Sequence, residues 1–164
     1  MFDVKILILA TPRLLRLVES IAGRVSNIFG LPVEVGEWDP GGSGSGGMAE
    51  EALARVPRIP GAKVVGVVEE DITVPGLNFV FGLAELGGSA AVVSVYRLRS
   101  SSASVLRERL LKEVVHELGH TFGLRHCPNP GCVMSFSNSV LEVDRKGPGF
   151  CPRCRERLLR LMGK

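Results

Sequence analysis

Apolar residues in this chain fall into two rhythms, continuous runs and recurrences every three to four positions, and together they predict its elements. Val4 to Ala10 is apolar apart from Lys5 and predicts a buried central strand. Thr11 is placed to cap the next element, with Pro12 at the first helical position. Leu14, Leu17, Val18, Ile21, Val25 and Ile28 then recur at helical spacing, so this helix buries one face. Pro32 to Trp38 alternates like a strand, and Met48 to Val56 predicts a short helix. Ala62 to Val68 is a further strand, and Pro75-Gly76 makes a turn. Leu77 to Ala84 and Ala90 to Leu98 predict two more strands, close enough in sequence to pair. Ser100, Ser101, Ser102 and Ser104 offer caps for a long helix running to about Leu124. A last helix is expected from Arg155.

Strands and helices alternate in the first half, which argues for a mixed α/β fold with a partly parallel sheet. At 164 residues the chain fits one domain, 1–164. Within it, about 1–126 would hold the sheet and a long helix, and about 127–164 a smaller C-terminal part. With 45% hydrophobic residues it can bury a core without disulfides. Its charge of +3 is too balanced to argue for nucleic acid or membrane. One Trp and one Tyr make stacking platforms for single strands unlikely partners. The N-terminal run has no basic leader and no cleavage-site pattern, and no run reaches membrane length. A soluble, cytoplasmic protein is expected, with a monomer as the default.

Between the second strand and the short helix lies DPGGSGSGG, Asp39 to Gly47. Gly42-x-Gly44-x-x-Gly47 matches a dinucleotide fingerprint letter for letter, with Glu69 and Glu70 downstream. Five glycines and two serines in seven residues make a chance match easy, and a flexible loop is the preferred reading.

The chain's three histidines all fall within HELGHTFGLRHC, His116 to Cys127. His116 and His120 lie one helical turn apart, so both imidazoles can reach one ion. Leu111, Val114, Val115, Leu118 and Phe122 centre roughly opposite them, giving the helix a core side and a ligand side. Gly123 can end the helix in a left-handed turn, so that the chain folds back and His126 supplies a third nitrogen. Gly119 can admit a neighbouring segment close to the helix. Three neutral imidazoles leave a zinc position open for water, and Glu117 is placed as the general base. The extended HExxHxxGxxH string is the metzincin signature, and Met134 sits where its methionine turn is expected.

Cys127-x4-Cys132 and Cys151-x2-Cys154 form two pairs separated by 18 residues. That spacing fits a tetrahedral four-cysteine zinc site with no open position, hence a structural one. Two disulfides are the competing reading, disfavoured in a reducing compartment. The expected cofactors are therefore two Zn²⁺ per chain, one catalytic and one structural. Because Cys127 follows His126 directly, the structural site can fix the third histidine.

The string HExxHxxGxxHC-x4-C-x-M, followed by CxxC, resembles the archaemetzincins from His116 to Cys154. VPGLNFVFGLAEL and AAVVSVYRL are similar to that family's lead-in to the active-site helix. Met134 and Cys151 are separated by sixteen residues, one fewer than the family pattern, a difference a loop absorbs. The resemblance implies a metzincin-like zincin fold: a twisted mixed sheet, the active-site helix, and a small zinc-bound C-terminal part. It implies a catalytic zinc on His116, His120 and His126, a Glu117 base, and a second zinc on the four cysteines. It also implies a peptide or protein substrate, with aminopeptidase activity attributed to some members. Ala90–Leu98 is the candidate edge for strand addition by a peptide. Tyr96 could stabilise an oxyanion, but a structural tyrosine is the preferred reading.

Two other functions compete with the peptidase. One is a latent zinc protein with an obstructed cleft. The other is a peptide- or nucleic-acid-binding module using the cysteine knuckle and Arg153, Arg155, Arg157 and Arg160. Leu158, Leu159, Leu161 and Met162 suggest that this tail packs as a helix with a solvated basic face.

Overall fold

The computed structural model describes residues 4–41, 46–76 and 78–164. Strands β1 (Lys5–Ala10), β2 (Val33–Glu37), β4 (Ala62–Val68), β6 (Gly82–Ala84) and β7 (Ala90–Ser94) form one five-stranded sheet in the order β2-β1-β4-β7-β6. The first four strands in that order run parallel, and β6 closes one edge antiparallel to β7. Strands β3 (Gly47–Met48) and β5 (Ile72–Thr73) make a small separate parallel pair that the apolar pattern did not predict.

Parallel strands covered on both faces must be apolar on both faces. In β4, Val64, Val65, Val67 and Val68 are all buried, and alternate residues serve different cores. Val65 and Val67 join Ile6, Ile8, Ala91 and Val93 against helices α1 (Pro12–Phe29) and α3 (Ala103–Thr121). Val64 and Val68 join Leu9 and Val92 against α2 (Ala49–Arg55). Helix α1 buries Leu14, Val18, Ile21 and Val25, as its periodicity predicts. Pro12 opens it, but the Thr11 hydroxyl makes no capping bond and lies buried without a partner among the described residues. Helix α3 is capped as expected, with Val105 N–H donating to the Ser102 hydroxyl. It stops at Thr121, three residues short of the predicted end.

The two predicted strands that precede α3 pair as expected but are shorter. The chain leaves β7 after Ser94, whose hydroxyl accepts a hydrogen bond from Tyr96 N–H at 3.1 Å and turns the backbone into a 3₁₀ turn, Tyr96–Leu98. Strand β7 is also interior, between β4 and β6, so Ala90–Leu98 cannot be the free edge. Gly82–Ala84 is that edge. The predicted start of its strand, Leu77, lies outside the described residues, as do Gly42 and Gly44 of the glycine loop.

After α3 come α4 (Val140–Arg145), which the sequence reading missed, and α5 (Pro152–Leu161), which begins three residues earlier than expected. Cys132, Val133, Met134, Val143, Cys154 and Leu158 pack into the same core as the sheet and α1. Among the described residues no helix is long and apolar enough to cross a membrane.

Candidate active site

From Leu110 to Thr121, α3 is buried almost all round. The predicted core residues Leu111, Val114, Val115 and Leu118 are joined in burial by Lys112, Glu113, His116 and Glu117. Phe122 is only partly buried and stacks on Phe29 with ring centroids 5.5 Å apart. The ligand side is thus an interior surface, covered by the chain after the helix.

Gly123 makes that return possible. Its φ of +109° is in the region that side chains disfavour, and it lets Leu124 turn back onto the helix end. Leu124 N–H donates to Gly119 O at 3.0 Å, and His120 Nδ1 bonds to Leu124 O at 2.7 Å. His116 Nδ1 bonds to Val133 O at 2.7 Å. Each bond occupies one ring nitrogen and leaves Nε2 aimed inward. The two Nε2 atoms are 3.2 Å apart. His126 closes the group, with its ring centroid 5.3 Å from His116 and 4.9 Å from His120. One nitrogen of each histidine lies within 4.8 Å of the others. Tetrahedral zinc with bonds of about 2.0–2.1 Å needs nitrogens roughly 3.3–3.4 Å apart, so this set fits that ion.

Burial holds His116 well below the usual imidazole range, and Lys146 pushes the same way. Burial also lowers His120 and His126. Neutral imidazoles are the form a metal requires. The Glu117 carboxyl moves the other way. Burial pushes it well above its ordinary range, Glu113 beside it adds to the rise, and Lys146 opposes it.

Met134 is fully buried. Its sulfur occupies the space beside Gly119, where a Cβ would come within 2.5 Å of it. Glycine is therefore what admits the methionine to the helix face.

The four cysteines also gather, with all sulfurs within 4.8 Å of one another and no disulfide. Cys127 and Cys151 sulfurs are 3.9 Å apart, close to the roughly 3.8 Å that tetrahedral Zn–S bonds of about 2.3 Å imply. Cys151 precedes the first turn of α5, and its thiol is lowered to about 7 chiefly by the Cys154 N–H donating to its sulfur. Cys127 N–H donates to Met134 O at 2.9 Å, tying this cluster to the methionine segment.

The histidines open onto a cleft of about 390 Å³. Phe79, Phe81, Leu83 and Leu86 line its strand side, with Glu113, Glu117, Arg125 and Phe136 opposite. Phe136 also packs on His126, with centroids 5.3 Å apart. Tyr96 is not in this lining. It stands half-exposed beneath the Arg99 guanidinium. Glu113, Arg125 and Phe136 were not singled out from the sequence. Only Glu113 left a local trace, since it lies one helical turn before Glu117.

The sequence signature of peptidase family M54 matches residues 47–160. The chain belongs to peptidase family M54. Among its M54 relatives, the archaemetzincin of Methanopyrus kandleri is 59% identical over 98 residues, covering 60% of this chain and 56% of the relative. That of Archaeoglobus fulgidus is 54% identical over 101 residues, covering 61% of this chain and 62% of the relative. These alignments therefore span less than two thirds of either curated relative. The crystal structure of the M. kandleri archaemetzincin matches with a TM-score of 0.87 at 40% identity, covering 99% of this chain and 97% of that one. A zinc-dependent peptidase from Methanocorpusculum labreanum matches with a TM-score of 0.82 at 28% identity, over 93% of this chain and 99% of that one. The archaemetzincin resemblance and its metzincin-like fold are borne out.

Proposed function

We propose that this M54 chain is a zinc-dependent peptidase whose catalytic zinc is held by His116, His120 and His126, with Glu117 as general base. The observation that carries this reading is the convergence of the three imidazoles at the base of an open cleft, with a buried carboxyl on the residue next to the first of them. The open cleft supports an active enzyme over a latent one.

Zinc at this position supplies Lewis acidity, polarising the carbonyl under attack and acidifying a water. Glu117 takes the proton of the attacking water and delivers it to the leaving amine. Carbonyl acceptors at Val133 and Leu124 fix the tautomers and directions of His116 and His120. Strand β6 offers the peptide an edge. Phe81 O and Glu85 N–H bond to β7, so antiparallel alternation turns the N–H and C=O of Gly82 and Ala84 outward. An extended substrate adds there as a further strand.

The four cysteines hold a second, structural zinc on this reading, two ions per chain in all. The core shared by the sheet and the C-terminal segment supports treating 1–164 as one domain.

The test is hydrolysis of a diverse peptide library by the zinc-loaded protein, followed by mass spectrometry. Discrete cleavage products are expected, and their ends distinguish an aminopeptidase from an endopeptidase. No cleavage by a protein holding two zincs contradicts the reading.

A further inference from the structure

One face of α3 carries polar side chains where a buried helix would be expected to carry apolar ones. Arg109, Lys112, Glu113 and His116 follow at helical spacing, and each grips the chain that comes after the helix. Arg109 pairs with Asp144 at 2.9 Å. The Lys112 ammonium donates to Val143 O at 3.2 Å and Asp144 O at 3.3 Å, at the end of α4. Glu113 meets Lys146, with Oε2 and Nζ 3.0 Å apart. His116 reaches Val133 O.

The third of these contacts is the unusual one. The side chain of Lys146 is 0% exposed and that of Glu113 is 4% exposed. The two meet at ion-pair distance, and among the described residues Glu113 Oε2 has no well-aligned hydrogen-bond donor. A buried pair of this kind is weak support for stability, because apolar residues of similar volume commonly serve as well or better. What it adds is geometry. The Lys146 ammonium also donates to Ser135 O at 3.2 Å. The next residue, Gly147, donates its N–H to Gly131 O at 3.0 Å. Lys146 therefore closes a ring: from Glu113 on the helix, through Lys146 to Ser135, back through Val133 O to His116 on the same helix.

We infer that Glu113 and Lys146 are a positioning pair, clamping the Val133–Ser135 backbone, with Met134 packed beside Gly119, against the active-site helix so that His116 holds the geometry of the histidine centre. The clamp rests on the reading of that centre as a zinc site. It uses neither side chain as a ligand or a proton carrier. Glu113 is committed to Lys146, and Lys146 to Glu113 and Ser135.

The test replaces both partners by apolar residues, Glu113→Leu with Lys146→Met, in the full chain. Three quantities are compared with the unsubstituted protein: the melting temperature of the metal-free form, the zinc affinity of the histidine site by chelator competition, and kcat and KM. His116→Ala assigns which zinc is being competed. The metal-free variant is expected to melt no lower than the parent. Its histidine site is expected to bind zinc about 10- to 100-fold more weakly, the range seen when outer partners of metal ligands are removed. Where peptide turnover is measured, kcat falls while KM stays within about twofold. Parental zinc affinity and kcat in a folded double variant overturn the clamp. Should that variant fail to fold, Glu113→Gln keeps the shape and removes the charge. Weaker zinc binding then supports the clamp, and parental affinity overturns it. If the parent shows no hydrolysis, zinc affinity alone decides. If His116→Ala leaves the zinc content of the parent unchanged, the zinc reading and the clamp fail together.

Discussion

Gly119 shows how much a single hydrogen atom decides here. A methyl group at this position would lie 2.5 Å from the Met134 sulfur, which fills a fully buried site. Gly119→Ala should therefore destabilise the protein by about 1–3 kcal/mol, the usual cost of overpacking, despite alanine's better helix propensity. Denaturant unfolding of the two proteins measures this, and an unchanged midpoint would mean that Met134 moves aside freely. The three histidines, Glu117, Met134 and the cysteines were legible because their spacing is local and chemically specific. The close approach at Gly119 was foreseen only as a possibility. Glu113 and Lys146 were illegible as a pair. They are 33 positions apart, and a glutamate on a helix followed much later by a lysine carries no signal until the fold brings them together.

Among the elements, β4 was predicted with its observed ends, and β1 and α1 nearly so, because a run of buried valines and a one-sided helical stripe each impose a distinct period. The sheet edge was misplaced for a physical reason. Apolar runs reveal that strands exist but not their order, and the run that opens Ala90–Leu98, Ala90–Ser94, is buried throughout and belongs in the middle where both faces are covered. Its end at Ser94 depends on a side-chain-to-backbone bond that periodicity does not reveal. Placing the substrate on β6 makes a sharp prediction for Ala84, whose N–H points away from β7. Ala84→Pro removes an outward donor without removing a sheet bond, and edge strands tolerate proline. It should raise KM for extended peptides roughly 2- to 10-fold, the worth of one hydrogen bond of about 0.5–1.5 kcal/mol, and leave kcat and the melting temperature nearly unchanged. An unchanged KM would mean that peptides do not add to this edge.

In the molecule as a whole, the histidine and cysteine clusters share a segment of chain. His126 and Cys127 are adjacent, their α-carbons about 3.8 Å apart, and Cys127 N–H is tied to Met134 O. Disturbing the cysteine cluster should therefore loosen the histidine cluster. Cys151→Ser is expected to lower zinc affinity at the histidines by about 10-fold or more, read by chelator competition against the parent. Equal affinity would show that the clusters are independent. The mixed α/β architecture followed from alternating strands and helices, but the fusion of the C-terminal segment with the main core did not. It rests on Val133, Met134, Val143 and Leu158, which are scattered among turns and short helices that have no strong period of their own.

The most direct measurement compares peptide hydrolysis by the parent and by Glu117→Gln at matched zinc content. The amide has the shape of the carboxyl but can neither take nor return a proton. With Glu117 as general base, kcat should fall by about 10²- to 10⁴-fold while zinc content and KM are preserved. A variant that binds the same zinc and cleaves at the parental rate would contradict the role assigned to Glu117.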